Sequence, residues 1–250
     1  MKSKKDENIV YGRNPVLELL KSNQPIDKIL IGSTSEGGSI AKIISMAKEK
    51  NVPIKNVSKE KLNSISLNEN HQNVVAFIAA YNYSELEDIF QLAQQKGEAP
   101  FIIILDKIED PHNMGAIIRT AEVVGAHGVI IPKRHNVGLT PVVMKVSAGA
   151  CKSIPVVRVT NLAETINFIK EQGLWVYCLE ACGESYVKFD YKGSLAVVIG
   201  SEGQGVSRLV KERSDFVVSL PVKGKINSLN ASVAAGVFMY EVAKQRIQFS

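Results

Sequence analysis

The stretch "FIIILDKIEDPHNMGAIIRTAE", residues 101–122, passes from an unbroken apolar run to a helical repeat within a few positions. "FIIIL" has no polar position, so the strand it predicts meets water on neither face. That is the pattern of a parallel sheet covered by helices on both sides. Beyond Pro111, the residues Met114, Ile117, Ile118 and Ala121 recur at the spacing of one helix face. Asn113 sits where it can cap a helix beginning near Met114. Arg119 and Glu122 fall three apart on the other face, where a surface ion pair would account for them. A turn alone needs the Pro and the Gly. It does not need the Asn, the Arg and the Glu together.

The alternation continues outward on both sides. Downstream, strands are predicted at 127–132, 155–158, 174–179, 195–200 and 215–219, with helices between most of them and a long helix at 228–247. "LAVVIG" (195–200) is as uniformly apolar as "FIIIL", which makes 100–250 one α/β domain with a mostly parallel sheet. Upstream, strands at 28–32, 52–57 and 73–81 alternate with helices at 14–22 and 39–50, giving a small α/β domain over 1–82. Residues 83–99 then read as an acidic linker whose 83–97 portion is an amphipathic helix able to bridge the two domains.

Composition narrows the classes. The 250 residues are 45% hydrophobic and 22% charged, ordinary for a globular protein, and no apolar run reaches membrane-spanning length. "MKSKKDENIV" lacks the apolar core of a secretory signal, so the expected compartment is the cytoplasm, with no membrane partner. The three cysteines, Cys151, Cys178 and Cys182, are too sparse for a disulfide framework, and "CLEAC" has no second pair or nearby His to make a zinc site. Reduced thiols and no metal are expected. A net charge of +5 is compatible with nucleic acid without requiring it. Residues 1–82 carry 12 Lys/Arg against 8 Asp/Glu, 83–99 carry 1 against 4, and 100–250 carry 17 against 13. Two basic blocks flank an acidic one.

In open parallel sheets, ligands bind where loops leave the carboxyl ends of strands, and two further loops there are unusual. In "VVIGSEGQGVSRLV" (197–210), Gly200, Gly203 and Gly205 permit a tight turn or a close approach to a ligand. The spacing is not that of a dinucleotide loop, and Glu202 at its centre would repel a pyrophosphate. A nicotinamide-dependent oxidoreductase therefore lacks its phosphate loop. In "LPVKGKINSLNASVAAGVFMYEVAKQR" (220–246), Ser228 or Asn230 can cap the following helix. Ala231, Ala234, Ala235 and Gly236 leave its first turns small enough to pack closely on a second backbone, of this chain or of a partner.

Taken in order, "LDKIEDPHNMGAIIRTAEVVGAHGVIIP", "AVVIGSEGQGVSRL" and "LPVKGKINSLNASVAAGVFMYE" resemble the three signature motifs of the SpoU (TrmH-like) family of RNA ribose 2'-O-methyltransferases. The resemblance spans essentially all of 100–250. The front block, beginning "IVYGRNPVLELLKS", resembles the substrate-binding domain of the family's ribosomal RNA branch, the 23S rRNA guanosine 2'-O-methyltransferases. One departure is "HQN" (71–73), where that branch often has His-Gln-Gly.

The resemblance implies a SPOUT-type domain whose C-terminal segment threads a loop into a deep trefoil knot, preceded by an RNA-binding domain. It implies S-adenosylmethionine as cofactor, bordered by the backbones of Gly200, Leu220 and Leu229. The family's catalytic set falls on Asn113, Arg119, Glu202, Ser228 and Asn230, all present here. It also implies a homodimer formed through 100–250, with the active site close to the interface. The expected activity is methyl transfer to a ribose 2'-hydroxyl of RNA, in first place a guanosine of 23S rRNA. The alternatives are tRNA ribose methylation and a non-catalytic RNA-binding protein of the same fold.

Overall fold

The computed structural model describes residues 9–22, 24–33, 37–66, 70–79, 81–224 and 228–246. Most of the N-terminal stretch tested for a signal, residue 80 of the expected 73–81 strand and residue 247 of the expected last helix lie outside these. The chain forms two compact units, Met1–Asn82 and Tyr83–Ser250.

The first unit runs β1 (Ile9–Tyr11), α1 (Arg13–Lys21), β2 (Ile26–Gly32), α2 (Gly38–Glu49), β3 (Ile54–Val57), α3 (Lys59–Ser66) and β4 (Val74–Ile78). Its sheet has the order β1-β4-β2-β3, with β4 antiparallel to both neighbours and β2 parallel to β3. Alternation along β2 sends Ile29 and Ile31 into one core with Val16, Leu20, Ile40 and Ile43 of α1 and α2. Leu30 points the other way, to Leu62 of α3. The three-residue β1 and the polar α3 were not foreseen, being too short or too weakly periodic to register.

"HQN" lies in the turn before β4. Gln72 and Asn73 both have left-handed backbones, φ 47° and 63°. The Asn73 amide donates to His71 Nδ1 at 3.0 Å, and its carbonyl accepts from Gly32 N at 3.0 Å. Asn is among the few side-chain-bearing residues that visit this conformation routinely. Asn73 in place of Gly therefore keeps the turn.

The second unit opens with α4 (Leu86–Lys96), whose Glu85 and Asp88 form a reciprocal capping box. Ile89 of α4 is fully buried among Ile102, Ile104 and Ile130 of the following sheet. The 83–99 segment expected as a connector thus falls inside the second unit, because its apolar face is buried there. The rest runs β5 (Phe101–Asp106), α5 (Pro111–Val123), β6 (Gly128–Pro132), α6 (Pro141–Val146), β7 (Val156–Val159), α7 (Leu162–Glu171), β8 (Trp175–Ser185), β9 (Leu195–Gly200), α8 (Arg208–Arg213), β10 (Phe216–Ser219) and α9 (Ala231–Arg246).

These six strands form one sheet, ordered β10-β8-β9-β5-β6-β7, and every pairing is parallel. Phe101, Ile103 and Leu105 of β5 face α5 and α9, while Ile102 and Ile104 face α4 and α7. Both faces are covered, as the apolar runs predict. From β5 the chain builds outward to β6 and β7, then returns to place β9 on the other side of β5. The loops after β5 and β9 therefore leave the sheet side by side at a topological switch point, where such folds open a ligand crevice. Asp106, only 4% exposed at the end of β5, binds these loops together by accepting from Ser207 N at 2.6 Å.

The far end of α9 is fastened as firmly. The Arg246 guanidinium donates to the carbonyls of Tyr191, Ala99 and Gly193 and lies over the Phe101 ring.

Candidate active site

The helix α5 starts at Pro111, a turn earlier than expected, because Asp110 is its N-cap and accepts from His112 N at 2.9 Å. Pro at the first helical position suits that start. Asn113 is therefore not a cap, and its side chain reaches across to the loop after β9. Asn113 Nδ2 donates to Glu202 Oε1 at 2.9 Å. Asn230, immediately before α9, does both jobs. Its Oδ1 accepts from Ser232 N at 3.0 Å and Val233 N at 3.3 Å, capping the helix. Its Nδ2 donates to Asn113 Oδ1 at 2.9 Å and also to Glu202 Oε1. Glu202 Oε1 takes a further bond from Ala231 N at 3.2 Å. Three loops distant in sequence are thus closed on one carboxylate oxygen.

Beside this knot of polar groups lies a cavity of about 370 Å³. Gly200, Glu202, Leu220, Ser228 and Leu229 line it, with Leu179, Ile199 and Ala234 adding apolar wall. Gly200 needs its missing side chain for a local reason: a Cβ there would overlap the Gly205–Val206 backbone of its own loop. On the other side of the knot is a second cavity of about 640 Å³ that shares Ser201, Glu202, Gly203, Gln204 and Ala231 with the first. Lys107, Ile108, Glu109, Asp110, Asn113 and His135 complete it.

Arg119 is the exception among the expected residues. It lies exposed on α5, lines neither cavity, and its side chain has no hydrogen bond or ion pair among the described residues. The Glu122 pair that would have explained it is not formed. The helix α9, packed against α5, exposes Val233, Val237 and Tyr240, one helical stripe between 41% and 52% accessible. Of the two partners expected for the small-faced start of α9, Ala231 and Ala235 meet their own chain: both are buried in the core of the unit.

Sequence reasoning missed Glu180. The strand β8 continues past its expected end at 179, and its pairing with β10 jumps from Cys178 opposite Val217 to Glu184 opposite Val218. The intervening residues bulge and bring Glu180 to the first cavity, where Oε1 accepts from Val206 N at 2.8 Å and Oε2 pairs with Lys211 at 3.3 Å. The signal was an acid directly after the apolar "VYCL". Burial and then the Glu180 carboxylate push the Cys178 thiol up to about 12, which keeps it protonated. Among the described residues no group of three His, Cys, Asp or Glu could hold a metal ion, and no helix is long and apolar enough to cross a membrane.

An all-parallel α/β unit with its polar cluster at the switch point defines a class of ligand-binding α/β domain, and comparison with known proteins specifies it. Residues 100–240 match the SpoU rRNA Methylase family, and residues 9–84 match the domain described as RNA 2'-O ribose methyltransferase substrate binding. A Bacillus subtilis (strain 168) relative, YacO, which its name places in the TrmH family of tRNA/rRNA methyltransferases, is 49% identical over 238 residues, covering 95% of each chain. A Staphylococcus saprophyticus relative named for the same family is 47% identical over 244 residues, covering 96% of this chain and 97% of its own. The crystal structure of the SpoU methyltransferase AviRb from Streptomyces viridochromogenes, in complex with AdoMet, superposes with a TM-score of 0.60 at 23% identity, covering 95% of this chain and 89% of that one. The chain belongs to the SpoU rRNA Methylase family of RNA methyltransferases.

Proposed function

We propose that this protein transfers a methyl group from S-adenosylmethionine to a ribose 2'-hydroxyl of RNA, and that its acceptor is a guanosine of 23S rRNA. The observation that carries this reading is the Asn113–Glu202–Asn230 knot standing at the seam of two cavities. A two-substrate transfer needs such a seam, because donor and acceptor must be held apart from their own solvent yet in line with one another.

The first cavity suits the cofactor. Its volume is in the range of small-ligand sites, its apolar walls can cover an adenine ring, and the Gly200 backbone supplies polar atoms at its rim. Leu220 and Leu229 would enclose the ring, and Ser228 would hold a polar group beside it. Bound there, S-adenosylmethionine supplies an already electrophilic methyl group. The protein then has to orient the hydroxyl and help remove its proton.

Glu202, with its charge committed to Asn113, Asn230 and Ala231, fixes the seam rather than acting as a free base. Arg119 is the cation that the family resemblance assigns to the acceptor. A guanidinium stays protonated at working pH, so its role is to clamp the adjacent RNA phosphate and stabilise the developing alkoxide, while the proton leaves to that phosphate or to water. Because Arg119 lines neither cavity of its own chain, it would meet the acceptor of a second copy. The exposed Val233, Val237 and Tyr240 stripe supports pairing of the 100–250 domains as a homodimer. The first unit, by its similarity to substrate-binding domains, would capture the RNA.

Mapping 2'-O-methylation across total RNA from cells with and without the protein tests this. One site lost from 23S rRNA is expected. A site lost from tRNA would replace the acceptor, and no ribose site lost from any RNA would overturn the reading.

A further inference from the structure

The second cavity is more selective than a ribose requires. Three carboxylates face it, and their hydrogen bonds separate them. Glu202 is bound to Asn113, Asn230 and Ala231. Asp110 is committed to His112 N as a helix cap. Glu109 has no hydrogen-bond or ion-pair partner among the described residues. Two positions earlier, Lys107 extends across the mouth to Gln204 Oε1 at 3.4 Å, which leaves further ammonium donors unused. Lys107 and His135, both lining this cavity, have left-handed backbones, φ 63° and 58°. Side-chain-bearing residues rarely adopt that conformation, and such strain gathers at functional sites.

A carboxylate with no partner and an ammonium with donors to spare, lining one cavity, form a pattern that one nucleobase answers. A carboxylate has only acceptors, so two of them must meet two neighbouring donors. Guanine offers N1–H and N2–H₂ side by side, with the O6 acceptor next to them for a cation. Adenine and cytosine each present one amino group beside an acceptor nitrogen, and uracil one N3–H between two carbonyls. An RNA base is read on this edge once it is unstacked from its neighbours.

We propose that Glu109 and Lys107 read the acceptor base, Glu109 accepting from N1–H and N2–H₂ of guanine and Lys107 donating to O6. The assignment rests on the methyl-transfer reading given above. It adds to that reading the two side chains that choose the nucleotide, and it places the base in the 640 Å³ cavity.

The test crosses a base change with a side-chain change. Transcripts carrying the mapped acceptor site are made with guanosine or with inosine there, inosine lacking only the 2-amino group. Wild-type protein and Glu109→Ala are each assayed for kcat/KM and for the position of the methyl group. Wild-type protein should lose about 10-fold on inosine, one hydrogen bond to a charged group. Glu109→Ala should be slower on guanosine and nearly indifferent to the exchange, because the partner of the missing amine is already gone. Lys107→Met should slow both transcripts alike, since both keep O6. S-adenosylmethionine affinity measured by calorimetry checks that the variants remain folded. The same inosine penalty in wild-type protein and Glu109→Ala, with ribose methylation intact, overturns this proposal alone. Absence of ribose methylation on every transcript overturns the transfer reading and this proposal with it.

Discussion

Asn113 and Arg119 stand six residues apart on α5 and live in opposite circumstances. Asn113 is bonded into a network that ties the start of α5 to the loops after β9 and before α9. Arg119 is exposed and partnerless among the described residues, on a helix packed against the one bearing Val233, Val237 and Tyr240. A polar group that holds the site's shape carries its bonds with it. A polar group that acts on a substrate has to keep its bonds free until the substrate arrives. The contrast makes distinct demands on activity and on stability, and mutation can separate them.

The largest effect is expected at Arg119. Arg119→Ala should lower turnover by at least about 10²-fold while leaving the melting temperature unchanged and cofactor affinity within a few-fold, because only transition-state contacts are lost. Arg119→Lys should recover little, since a point charge does not replace a planar fork. Full turnover in either variant removes Arg119 from the chemistry. Glu202→Ala should show the complementary pattern, a loss of about 1–3 kcal/mol in stability by denaturant titration with a turnover loss of about 10-fold or more. An unaltered denaturation midpoint would mean that the network holds nothing.

Val237→Arg extends the comparison to assembly. The side chain is exposed in the single chain, so the fold should survive, whereas a dimer seated on this stripe should dissociate, with turnover lower by about 10-fold. Light scattering that finds a wild-type monomer of full activity would dispose of the shared site. Removing residues 1–82 should reduce RNA affinity by about 10-fold at moderate salt and flatten its salt dependence, with cofactor affinity retained. Equal RNA affinity in both forms would take the capture role from the first unit. The smallest effect is expected at the "HQN" turn. Asn73→Gly should change stability by less than about 0.5 kcal/mol, whereas Asn73→Val should cost about 1–2 kcal/mol, as a branched residue held at positive φ must.

The strands that build the site were legible because "FIIIL" and "LAVVIG" are buried on both faces, a condition few other patterns satisfy. The start of α5 was misjudged by a turn: Asp110 and Asn113 are both competent caps, and Pro111, suited to the first helical position, is the signal that favours Asp110. The bulge in β8 was hidden because its residues are largely exposed and carry no period. Ala235 illustrates a different limit: a small residue announces close packing without naming the neighbour, which proved to be the core of its own unit. The convergence of Asn113, Glu202 and Asn230 came from motif resemblance, because no periodicity encodes which loops meet. Glu180 lies outside the three motifs and Asp106 inside the first, and the part each plays emerged only from its hydrogen bonds.

The bond between Asn113 and Asn230 spans 117 positions, and that between Arg246 and Ala99 spans 147. Contacts of such sequence separation form late, after the cost of closing a long loop has been met. During synthesis, the sheet up to β10 can emerge while Phe238, Met239 and Val242, all fully buried in the finished fold, are still inside the ribosome. Until they dock, the apolar face under α9 is open to water and to neighbouring chains. The same docking delivers Asn230 to Glu202, so the hydrogen bonds that join Asn113, Glu202 and Asn230 close only once α9 is in place.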